Sequence, residues 1–293
     1  MARSTPSPLG QFLPGQRMPL RLANPSQLTP DGPLAPRWGA GLAMAGLVLV
    51  VLVPLGGTLA LAGVLPFGPQ LIFASLLLTW TAMFGVTLYA SRRHGFRSFT
   101  RDFGLRFRWI DLAVGIGVGI AARIVLAIIL AILTLLWPLQ DGEVIQGNAE
   151  LFLTGDTVWL IINGVFGGVL MAPFLEELFN RGLVLRGVQN ALWLRRTGDR
   201  RDAVAPAVQR RSIVTSTVIA LLVSSLAFGL LHTGAVPDLR SSVYLLVSTF
   251  TVGLMCGVLT VITGRLGAAI VTHVVFNGTG VALLLLIPPE LLP

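Results

Sequence analysis

Seven runs of mostly apolar residues divide this chain, at roughly 39–63, 70–90, 112–137, 157–176, 213–232, 242–263 and 267–288. A helix that crosses the hydrocarbon core of a bilayer needs about 20 such residues, and every run reaches that length. Composition agrees. Only 12% of the 293 residues are charged, about half of what a water-soluble domain carries. A soluble enzyme and a disordered regulator are therefore excluded. So is a disulfide scaffold, because the single cysteine, Cys256, lies inside an apolar run. The expected fold class is all-α, a polytopic transmembrane helical bundle of about seven spans over residues 38–293. Residues 1–37 hold eight prolines and no apolar periodicity, and they read as a disordered cytoplasmic tail. Ala60-Leu61-Ala62 resembles a signal-peptide cleavage site, but the run before it is too long for such a signal and reads as an uncleaved span.

The net charge is +8, and all 21 basic residues are arginine. A nucleic-acid-binding protein would carry them on a solvated face. Here they fall mostly between apolar runs, which points to a membrane surface and away from nucleic acid. Four lie in the tail, six in 91–111, eight in 177–212 and one in 264–266, whereas the alternate segments hold only Arg240. Cytoplasmic segments are the arginine-rich ones, so the N-terminus is expected inside and the C-terminus outside. Arg123 alone falls within a run. The absence of lysine points to a GC-rich coding sequence and so to a bacterial cell membrane. Gly115-x-x-x-Gly119 and Gly253-x-x-x-Gly257 let helices approach closely and read as packing within the chain rather than a dimer face. Oligomeric state is not legible. No internal repeat is visible, which counts against a transporter built from inverted halves.

Ionisable groups inside a span cost about 2.5–3.5 kcal/mol each on insertion scales, so the few present are informative. Three patterns hold them. In Glu176-Glu177-x-x-x-Arg181 the second acid and the arginine are four apart, the favourable order for an ion pair on a helix. Glu176 then points about 100° away, free for chemistry. The bland alternative is a solvated helix end. Phe228-x-x-x-His232 closes the fifth run, where a lone histidine also suits helix packing. His273-x-x-x-Asn277 places two polar groups on one face of the last run. A packing hydrogen bond would explain Asn277 but leave His273 over. His94, beside Arg92 and Arg93, reads as a surface residue.

Together and in this order, the three patterns resemble the type II CAAX prenyl endopeptidases, also called CAAX proteases and bacteriocin-processing enzymes (CPBP), which are intramembrane proteases. The resemblance covers about 157–285, with Asp102-Phe-Gly-Leu105 similar to a stretch often found before the third span. It implies a catalytic cavity inside the membrane and a peptide or membrane-protein substrate. Glu176 with His232 would activate a water, and His273 with Asn277 would form an oxyanion hole. Glu177 and Arg181 would support the helix. The family name often includes "metalloprotease", and His232, His273 and Glu176 would make a His2Glu zinc set. There is no His-Glu-x-x-His, however, and a route without metal or other cofactor uses Asn277 as well, so it is the favoured one. A catalytically silent immunity or scaffold protein on the same fold is the rival reading, and a transporter the third. One tension stands in these boundaries. If the fourth span ends at 176, Glu176 and His232 lie at opposite ends of their helices. A shared site then requires the Glu176 helix to continue through about 178–194, or the His232 span to lie on a shallower slant.

Overall fold

In a computed structural model of the chain, residues 38–140, 143–152, 155–197 and 206–286 are described. The tail read at 1–37 lies outside them. Among the described residues there is no strand, and seven helices are long and apolar enough to cross a membrane. They are α1 (Ala40–Ala62), α2 (Pro69–Tyr89), α3 (Trp109–Leu136), α4 (Thr157–Leu192), α5 (Pro206–His232), α6 (Leu239–Thr263) and α7 (Gly267–Leu285). Large apolar side chains face outward, among them Leu52 on α1, Ile124 and Ile128 on α3, and Leu226 on α5. An exposed apolar surface of this extent suits lipid rather than water. The protein is an integral membrane protein.

The helices pack in pairs, α1 on α2, α3 on α7 and α5 on α6, with the end of α4 against α5. Glycines set the closest approaches. Gly115 and Gly119 face Val271 and Val275 of α7, and a Cβ on Gly119 would stand 2.8 Å from that of Val275. Gly257 faces Leu221 of α5, and Gly253 faces Arg181 and Phe228. Both glycine pairs therefore serve packing within the chain.

The fourth span departs from the boundary read in the sequence. It does not end at 176 but runs on to Leu192. Hydropathy falls after 176 because Glu177, Asn180, Arg181 and Arg186 follow, yet all four side chains are buried against the bundle. Polar groups turned inward and partnered there do not end a span. Two of the eight arginines assigned to a cytoplasmic segment thus lie inside the protein. Arg186 donates from Nη2 to the Phe103 carbonyl at 2.9 Å. The helix is also unevenly wound. Leu160–Met171 and Leu178–Val184 are π-helical, and Ala172–Glu177 between them is α-helical. The i→i+5 winding is rare and is often found near functional sites. Glycines face neighbours along the first wide segment, Gly167 against Leu76 and Trp80, and Gly168 against Phe152.

Both ends of the bundle are fastened by charge. The Asp102 carboxylate accepts from Ser91 Oγ at 2.7 Å and from the Phe96 and Ser98 amides at 2.8 and 3.2 Å. Gly104 has φ +71°, a left-handed conformation that favours glycine, and its carbonyl accepts from the Leu266 amide at 2.9 Å. The Asp102–Leu105 stretch thereby pins the α2–α3 connection to the α6–α7 turn. Arg265 grips Asp111 nearby, with contacts of 2.6, 2.9 and 3.0 Å. His94 is half-buried and packs edge-on against Tyr89 rather than standing free. At the opposite end Arg240 pairs with Glu143 at 2.7 Å, donates to the Pro138 carbonyl at 2.9 Å and lies over the Trp137 ring.

Candidate active site

Continuation of α4 through 192 puts Glu176 and Glu177 well inside the span, which removes the conflict in depth. Adjacent positions on a helix point about 100° apart, and the two acids have different surroundings. Glu177 is wholly buried between helices, while Glu176 keeps 13% of its side chain exposed. Glu176 lines a cavity of about 570 Å³ together with His232, His273 and Asn277. Much of the remaining wall is apolar, including Leu71, Leu76, Phe276 and Val281.

The polar groups form one chain of contacts. Arg181 donates from Nη2 to the Gly253 carbonyl at 2.6 Å, and its Nε lies 3.3 Å from Glu177 Oε2. That approach is a charge contact, since neither atom has a hydrogen bond. Glu177 Oε1 meets His273 Nδ1 at 3.0 Å. His273 Nε2 stands 3.6 Å from one oxygen of Glu176, and His232 Nε2 stands 3.7 Å from the other. The chain ends where His232 Nδ1 meets the Phe228 carbonyl at 2.8 Å. A carbonyl only accepts, so His232 carries its proton on Nδ1 and, when neutral, presents a lone pair on Nε2 towards Glu176.

Phe228 explains its place four residues before His232. Its ring packs against His232 at 4.6 Å and against His273 at 5.5 Å and 90°, with the Arg181 guanidinium 4.9 Å from its centroid. It walls both imidazoles. Asn277 Nδ2 donates to the Gly168 carbonyl at 2.9 Å, which fixes the amide and leaves its second N–H for a ligand. The role of Gly168 was not legible in the sequence, although the glycine-rich stretch 164–168 marks an unusual backbone. Arg123, visible as the one arginine within an apolar run, also lines the cavity.

All six residues picked from the sequence are thus brought together. Their arrangement differs from the expected one in one respect. Glu177 holds His273 as well as Arg181. The alternative zinc set of His232, His273 and Glu176 draws on the same three side chains, with both imidazole Nε2 atoms facing Glu176. Among the described residues no group of three or more His, Cys, Asp or Glu is already drawn together as a metal site would be.

Comparison with known proteins bears on the same stretch. Residues 157–279 match the family model described as type II CAAX prenyl endopeptidase Rce1-like. The match covers 123 of the 293 residues. No curated protein and no solved structure matches the chain. The Rce1-like region runs from the start of α4 into α7 and contains every member of the contact chain from Arg181 to His232. The matched family is described as one of CAAX prenyl endopeptidases, and the matched region supplies Glu176, His232, His273 and Asn277 to the cavity wall.

Proposed function

We propose that the protein is an intramembrane endopeptidase that hydrolyses a peptide bond with water activated at Glu176. One observation carries this reading: two imidazoles converge on the two oxygens of a single carboxylate inside a largely apolar cavity. Water attacks the scissile carbonyl carbon and gives its proton to Glu176. The proton passes to the leaving amine from Glu176 directly or by way of His232 Nε2. Separations of 3.6 and 3.7 Å are looser than hydrogen bonds, as is common before substrate tightens a site. The oxyanion takes hydrogen bonds from the second Nδ2–H of Asn277 and from His273. Because His273 Nδ1 donates to Glu177, its Nε2 donates only when the ring is an imidazolium. Glu177 is the counter-ion that supports that charge, and Arg181, 3.3 Å from its other oxygen, holds it in place. No step requires a metal. The substrate is a peptide or membrane-protein segment reaching the site from the bilayer or its surface. With the arginine-rich ends in the cytoplasm of a bacterial cell, the cavity extends towards the outer ends of the helices, where Phe67, Asn148 and Ala235 line it.

The test compares membrane peptides by mass spectrometry in cells carrying wild type or Glu176→Gln. Products present with wild type should vanish with the variant, whose melting in detergent stays unchanged. Cleavage by purified protein should survive exhaustive chelation. Equal products from both proteins would sink the peptidase reading. Activity lost to chelator and restored by zinc alone would replace the metal-free route.

A further inference from the structure

Arg123 sits at mid-length of α3, half-buried, with its guanidinium on the wall of the same cavity. It donates from Nη2 to the Phe276 carbonyl and from Nε to Thr279 Oγ1 at 3.4 Å, and it lies 3.9 Å over the Phe276 ring. These partners orient the group without neutralising it. Its treatment is unlike that of the other embedded arginines. Arg181 has Glu177, Arg240 has Glu143 and Arg265 has Asp111. Arg186 has Asp102 near it. Among the described residues no carboxylate pairs with Arg123. A lone cation at this depth is costly, and such residues face a cavity and mark a ligand path.

The neighbouring helix makes room for it. A Cβ on Gly280 would stand 2.8 Å from Arg123 Nη2, so any side chain there would displace the guanidinium. Gly280 is three residues beyond Asn277 on α7, about 4.5 Å along the axis. An anion on Arg123 would thus lie within about one to three extended residues of a carbonyl held by Asn277.

We propose that Arg123 is an anion subsite of the cavity and takes a carboxylate carried by the peptide substrate close to the scissile bond. The proposal rests on the peptidase reading above and names what that site selects. A planar guanidinium matches a carboxylate in two-point geometry. A lipid phosphate is the poorer candidate, because headgroups lie at the bilayer surface and Arg123 lies midway along its span.

The test measures binding to Glu176→Gln protein in phosphatidylcholine nanodiscs, so that it does not depend on turnover. The probes are short labelled peptides with one Asp walked through an Ala/Leu background, each with an Asn twin, ending in a free acid or an amide. At least one acid should bind about ten-fold or more tightly than its neutral twin, the size expected for a charge-assisted hydrogen bond. The ratio should approach one in Arg123→Gln and be partly kept in Arg123→Lys. Gly280→Ala should shrink it while the charge remains, which keeps the proposal testable should Arg123→Gln fail to fold. Equal binding of every pair, or a preference that persists in Arg123→Gln, overturns it. So does Arg123-dependent binding of phosphatidylglycerol with no peptide preference. A preference without cleavage by wild type would leave the subsite standing and remove the peptidase reading; cleavage without preference would do the reverse.

Discussion

Glu176 and Glu177 are neighbours in the chain, yet one faces a cavity and the other is sealed between Arg181 and His273. The sealed acid is the more consequential for folding. With both partners at 0% exposure, Arg181→Ala would leave a buried carboxylate without its counter-ion, at a cost of about 3–5 kcal/mol. Its melting temperature in detergent should fall sharply, and turnover of a reporter peptide with it. Glu177→Leu with Arg181→Met removes both charges and should recover much of the stability, but not activity, because His273 loses the acid on its Nδ1. Melting of Arg181→Ala at the wild-type temperature would show that the pair contributes little. Recovery of full activity in the double variant would show that His273 works without Glu177.

At the scale of helices, the position of α7 decides whether His273 and Asn277 can reach Glu176. Gly115 and Gly119 let α3 close on Val271 and Val275, two residues from His273 and Asn277 respectively. Added side chains there must push the helices apart, and overpacking of this kind costs about 1–3 kcal/mol. Gly119→Leu should therefore lower melting in detergent and reduce turnover well beyond what the lost stability explains. Gly117→Leu, where a Cβ meets nothing within 4 Å, should do neither. Equal effects of the two substitutions would show that the α3–α7 approach does not position the site. The wide turns of α4 act in the same way from the other side, since the Gly168 carbonyl that fixes Asn277 comes from the π-helical segment Leu160–Met171.

For the whole molecule, burial of Arg181 and Arg186 takes two charges out of the orientation count, but the asymmetry remains because 177–212 still holds six others. The expectation is unchanged: 91–111 inside and 138–156 outside. An impermeant thiol reagent applied to intact cells should label Gly147→Cys and spare Ser98→Cys; the native Cys256 is fully buried and should stay silent. Ala235→Cys lines the cavity and should label from the same side as Gly147→Cys. Labelling of Ser98→Cys alone would invert the protein. Labelling of Ala235→Cys from the opposite side to Gly147→Cys would mean that the cavity is reached from the arginine-rich face.

Seven spans, their class and the short roll of polar residues worth inspecting were all legible from residue order, because lipid imposes length and apolarity on each helix separately. The three motifs were legible for a similar reason: i,i+4 spacing places Glu177 with Arg181, and His273 with Asn277, before any tertiary contact exists. Hydropathy could not say where α4 ends, because it scores Arg181 and Arg186 as solvated when their partners on other segments, Gly253 and Phe103, keep them inside. Nor could spacing show that Glu177 serves His273, that Phe228 packs against His273 as well as His232, or that Arg123 meets the Phe276 carbonyl. Each of those depends on groups at least 45 residues apart in sequence being brought within a few ångströms, and contacts of that range come from how the helices pack.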